Sequence, residues 1–80
     1  MTVIVTIICF GALRDFLPDP SINEARIELN EGATVKELVD RLGAPPRLAT
    51  SILIGEERGH LSDPLRDGVR VTLMPPFSGG

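Results

Sequence analysis

The residues of this 80-residue chain best placed for chemistry are its last six, Pro75-Pro76-Phe77-Ser78-Gly79-Gly80. They follow a β-branched apolar run, Val69-Arg70-Val71-Thr72-Leu73-Met74. Proline cannot donate a ladder hydrogen bond, so regular structure should stop at Pro75. Consecutive prolines favour an extended spacer, and two glycines present no side chain to obstruct a narrow channel. The expected result is a thin arm ending in a carboxylate at Gly80. By itself a Gly-Gly end is equally an ordinary frayed terminus. A carboxylate is a poor electrophile, because its charge is delocalised and oxide would have to leave, so acyl chemistry at Gly80 needs outside activation. The chain carries no Gly-Lys-Ser/Thr phosphate loop, which assigns any ATP to a partner and leaves no cofactor bound by the chain itself.

The other reactive side chains read as structural or solvated. Cys9 lies in a strand-like run without a histidine or basic neighbour to lower its pKa, so a buried thiol is expected. His60 has no second histidine or cysteine at metal-ligand spacing, and no metal is expected. Glu56, Glu57, Asp63 and Asp67 do not follow a calcium-loop pattern and read as turn charges.

Composition narrows the function classes. Eleven acidic and eight basic residues give a net charge of −3, scattered without the basic stripe or aromatic platform of a nucleic-acid binder. The 42% apolar and 24% charged content suits one small folded core rather than disorder. A single cysteine, no secretory pattern, and an apolar run far below the ~20 residues of a membrane span make the cytoplasm the expected location.

These features require elements that hold the arm. Residues 2–10 are apolar on both alternating faces, as in a central strand; Val3, Val5, Ile7 and Cys9 form one face, and Thr2, Ile4, Thr6, Ile8 and Phe10 form a more polar, partly covered one. A short helical turn is expected over residues 12–17, presenting Leu13, Phe16 and Leu17 to the core. Residues 25–30 alternate and predict a second strand paired antiparallel with the first. Thr34 and Glu37 have the spacing of a capping box, followed by Val35, Leu38, Val39 and Leu42 on one helical face and by Gly43 as a stop. Residues 44–47 read as a loop, 51–55 as a third strand, 56–59 as a turn and His60-Leu61 as a short edge strand. Residues 63–68 carry the Pro and Gly of a tight turn feeding the last strand, which should lie beside the first in mid-sheet, with Val69, Val71 and Leu73 inward. The sum is an α+β chain, a mixed sheet of four to five strands wrapped on one main helix.

The order of these elements and four short stretches resemble the ubiquitin-like β-grasp sulfur carriers, most nearly the small subunit of molybdopterin synthase and more distantly the thiamine-pathway carrier. The stretches are Phe10-Gly11-Ala12-Leu13-Arg14, Glu31-Gly32-Ala33-Thr34-Val35-Lys36-Glu37-Leu38, Pro64-Leu65-Arg66-Asp67-Gly68 and the final Pro75 to Gly80. The resemblance spans nearly the whole chain. It departs at the short loop of residues 43–50, at Leu53-Ile54, where an Asn often precedes the turn glycine, and at Phe77, where a smaller aliphatic is usual.

The resemblance implies a β-grasp domain over residues 1–74 and a flexible arm over 75–80. It further implies that an ATP-dependent enzyme adenylates Gly80, that a persulfide or sulfide donor converts it to a thiocarboxylate, and that Gly79 gives a slim approach. Pro75, Pro76, Phe77 and Ser78 would set the reach, on the order of 15 to 20 Å at about 3.1 Å per residue. The large subunit of molybdopterin synthase would then take the sulfur. A docking face around Ile8, Met74 and Phe77, rimmed by Arg70, is the expected partner contact. Two alternatives stand beside this reading: a sulfur carrier for tRNA thiolation or another thio-metabolite, and a protein modifier conjugated through Gly80. Lys36 is the only lysine, which disfavours self-polymerisation.

Overall fold

Strand β1, Thr2–Cys9, carries the burial pattern its residues dictate, with Val3, Val5, Ile7 and Cys9 buried and the alternate residues exposed or half-buried. The computed structural model describes residues 1–75. In it β1 is paired on both sides within a five-stranded sheet of order β2-β1-β5-β3-β4. Strand β2, Glu24–Asn30, runs antiparallel to β1 in a register that sets Val5 opposite Ile27. Strand β5, Arg70–Met74, runs parallel to β1, with Ile8 opposite Thr72 and Cys9 opposite Leu73. Strand β3, Ser51–Ile54, lies antiparallel on the far side of β5, and β4, Glu57–Arg58, closes the sheet against β3. This is the α+β, β-grasp arrangement: a parallel central pair requires a crossover, and the chain between β2 and β3 supplies it with the one α-helix.

Helix α1, Val35–Leu42, buries Val35, Leu38 and Val39 against β1 and β5 in one core. Burying such side chains contributes about 1.5–3 kcal/mol each. The start of the helix differs from a complete capping box. Thr34 Oγ1 accepts from the Glu37 N–H at 3.4 Å, but no returning bond from the Glu37 carboxylate is present among the described residues. The preceding orphan amides are instead met by a distant loop: Val35 N–H donates to Asp63 O at 3.0 Å and Lys36 N–H to Leu61 O at 2.9 Å. Gly43 ends the helix at φ 81°, its N–H donating to Asp40 O and Val39 O.

That capping explains a second difference. His60-Leu61 is not a strand, because the Leu61 carbonyl is committed to the helix and His60 N–H donates to Asp63 Oδ2 at 2.8 Å. The edge strand lies earlier, at Glu57–Arg58, where a turn was expected. Gly55 at φ 65° permits a two-residue hairpin loop with Glu56, which brings Glu57 directly opposite Ile54. The expected turn at residues 12–17 is a 3-10 helix, Gly11–Phe16, with Leu13 buried, and a second one, Pro46–Leu48, lies in the expected loop. Among the described residues no helix is long and apolar enough to cross a membrane.

Candidate functional site

The position of Pro75 is fixed by β5, which ends at Met74 between two paired neighbours. Phe10 N–H donates to Leu73 O at 3.2 Å, so the exit of β1 is tied to the end of β5. Gly11 follows at φ 59°, and Leu13 N–H returns to Phe10 O at 3.2 Å, turning the chain so that Leu13 enters the core. Pro75, half-buried, sits against this turn: a Cβ built on Gly11 would lie 2.8 Å from Pro75 Cγ. Pro76, Phe77, Ser78, Gly79 and Gly80 lie outside the described residues.

The strand registers bring the other three expected site residues onto one face. Thr6 is opposite Arg70, Ile8 opposite Thr72, and Met74 opposite Ser51, all on the side of the sheet away from α1. Ile8 and Met74 are half-buried and Arg70 is exposed. The registers also add Leu53, which the reading of the sequence did not place there. Leu53 pairs with Thr72, extending the apolar strip across β3, while Ile4 is 48% exposed on β1. On β2 the same face carries Glu24, Arg26 and Glu28, opposite Ile8, Thr6 and Ile4 respectively. Arg26 thus lies between two carboxylates of its own strand, and neither Arg26 nor Arg70 makes an ion pair among the described residues. Period-two alternation was the available signal for Ile4; placing Leu53 required the β3–β5 register.

The remaining candidates take structural positions. Cys9 is fully buried, and burial pushes its thiol up to about 11, which keeps it protonated and unreactive at neutral pH. His60 Nδ1 lies 3.5 Å from Asp63 Oδ2 at an exposed turn, and no group of metal-ligating side chains occurs among the described residues. Asp67 is more than a solvated turn charge: its Oδ1 accepts the Ile4 N–H at 2.8 Å. Asp19, fully exposed, is held below the usual carboxylate range by hydrogen bonds from Ser21 Oγ at 2.6 Å and Ser21 N–H at 3.1 Å.

Residues 7–80 match the ThiS family. The chain belongs to that family. Members are ubiquitin-like sulfur carriers, which agrees with the sheet, the single helix and the order of the elements. Solved structures with the ThiS-like fold of this chain include SAMP1 from Haloferax volcanii, at 23% identity and a TM-score of 0.71 over 96% of this chain and 99% of that one. A putative molybdopterin converting factor, subunit 1, from Pyrococcus furiosus superimposes with a TM-score of 0.69 at 23% identity, covering 92% of this chain and 98% of that one. The HVO 2177 protein of Haloferax volcanii gives 0.78 at 20% identity, over 99% and 88% of the two chains. No curated protein gives a significant match to the sequence.

In this ThiS-family chain the described residues offer a tethered strand end beside a partly apolar face. Partners that activate the carrier follow from the family.

Proposed function

We propose that the chain carries sulfur as a thiocarboxylate on Gly80, in a pathway that builds the dithiolene of molybdopterin. The carboxylate attacks the α-phosphate of ATP held by an adenylating enzyme, forming an acyl-adenylate and releasing pyrophosphate. Sulfide then adds to the acyl carbon and AMP leaves, giving the thiocarboxylate. A persulfide donor reaches the same product by way of an acyl disulfide, which a thiol reduces. The ThiS match through residue 80 carries this reading, because it includes the terminal glycines along with the fold.

The body's part is presentation. Ile8, Met74 and Leu53 with the exposed Arg70 supply a docking face next to the strand that ends at Met74. Gly79 and Gly80 give clearance within a partner's channel, and Pro75, Pro76, Phe77 and Ser78 give reach. Prolines limit the unbound conformations of the arm and reduce the entropy lost on docking. Likeness in fold to the molybdopterin converting factor subunit favours the large subunit of molybdopterin synthase as the acceptor. Copurification with a pterin-binding subunit tests the pathway; sulfur passing instead to a tRNA base or small metabolite assigns it elsewhere.

A second reading has its own support in the likeness to small archaeal modifier protein 1 of Haloferax volcanii, at 22% identity and a TM-score of 0.72. There Gly80 would form an amide with a lysine of another protein. Branched peptides ending in Gly80, without the thiocarboxylate, would favour it.

A further inference from the structure

We propose that Gly11 is a positioning residue for the C-terminal arm: the Pro75 ring seats where Gly11 lacks a Cβ, and that seat sets the direction in which the chain leaves the sheet. The inference deepens the sulfur-carrier reading and rests on it for its functional consequence. Its basis is a contrast among glycines. Gly32, Gly43, Gly55 and Gly68 share with Gly11 a positive φ, and a Cβ at any of those four would meet nothing within 4 Å. At Gly11 it would meet three atoms of one residue, Pro75 Cγ at 2.8 Å, Cδ at 3.6 Å and Cβ at 4.0 Å. Conformational freedom accounts for a glycine at all five; clearance for the arm's first residue is a property of Gly11.

Other restraints converge on the same point. The Phe10 N–H to Leu73 O bond fixes the peptide that precedes Gly11 against the end of β5. Pro75 has its own φ locked by its ring, and the following Pro76 restricts Pro75 to an extended ψ. With both dihedrals of Pro75 limited, a displaced ring is not easily absorbed at that residue and turns the chain beyond it. A methyl on Gly11 would therefore redirect the arm, and a misplacement on the order of 1 Å at a reacting group can cost about 100-fold in rate.

The test uses the full chain as Gly11→Ala, Pro75→Ala and the double variant. A nitroxide on Ser78→Cys, with the buried Cys9 shielded from the reagent, reports arm direction through broadening of backbone amide signals. Gly11→Ala should move the broadened patch relative to the unsubstituted background, and adding Pro75→Ala should move it back. In pyrophosphate exchange with the adenylating enzyme, without the label, Gly11→Ala should lose about tenfold in kcat/KM or more. The double variant should recover to within about threefold of Pro75→Ala alone. A structural cost of alanine at positive φ would lower stability without this rescue. An unmoved patch in folded Gly11→Ala overturns the inference whatever the chain's function, and a moved patch with unchanged exchange kinetics overturns its functional half. Absence of exchange by the native chain counts against the sulfur-carrier reading, while the patch still decides the seat.

Discussion

Asp67 Oδ1 accepts the backbone N–H of Ile4 at 2.8 Å, across 63 residues of sequence, and the Ile4 carbonyl accepts from Gly68 N–H at 2.8 Å. The loop before β5 thereby imitates one more step of the parallel ladder, aligning β5 before its own pairing begins at Arg70. Asp67→Ala leaves the Ile4 amide without its protein acceptor and should lower unfolding free energy by about 1–3 kcal/mol. Asp67→Asn keeps an acceptor oxygen and should lose less. Urea titration of the three chains checks the order; equal stability of native and Asp67→Ala chains would remove the bond from any role in setting β5.

The one-sided cap predicts unequal effects at two helix residues. Thr34→Ala removes the acceptor for the Glu37 amide and should cost about 1 kcal/mol. Glu37→Ala, at an exposed side chain that makes no returning bond among the described residues, should change stability by no more than about 0.5 kcal/mol. Chemical denaturation of both variants separates this from a reciprocal box, for which the two losses would be comparable.

Cys9 predicts an alkaline effect with a definite sign. Burial raises the folded thiol from 9.0 to about 11, so the folded state holds the proton more tightly than the unfolded one. The resulting stability is fully present below about pH 9 and is lost as pH rises through about 11, a change on the order of 2 kcal/mol. Cys9→Val lacks the titrating group. Its stability relative to the native chain should improve across that interval, and a constant difference from pH 8 to 11 would contradict the assignment.

Arg70 is an exposed cation on the proposed docking face, separated by Thr6 from Arg26, which has carboxylates to either side. Arg70→Glu should weaken binding to the adenylating enzyme by about tenfold, more at low salt than at high salt, while leaving the urea midpoint nearly unchanged. Isothermal titration at two ionic strengths measures this. An unchanged dissociation constant at low salt would place the contact elsewhere.

Much of the architecture was legible because it is written in local periodicity. Val3, Val5, Ile7 and Cys9 alternate with residues that remain at the surface, and Val35, Leu38 and Val39 recur at helical spacing; both patterns reappear as the two sides of one core. The misplaced edge strand shows where local pattern runs out. His60-Leu61 looked available for pairing, but its backbone was already engaged by Asp63 and by the start of α1. Gly11 and Pro75 were each readable as turn and stop, yet their contact depends on the parallel β1–β5 pairing, which no short stretch encodes. Ile8, Met74 and Arg70 could be assigned to one face from alternation, whereas Leu53 joined them only through register.

The most direct test of the sulfur-carrier reading is the intact mass of the chain after incubation with its adenylating enzyme, ATP and sulfide. The account predicts one oxygen replaced by sulfur, localised by fragmentation to Gly80, dependent on ATP and abolished by deletion of Gly80. A chain that stays unmodified with an enzyme demonstrably forming its acyl-adenylate, or one that transfers sulfur without Gly80, would contradict it.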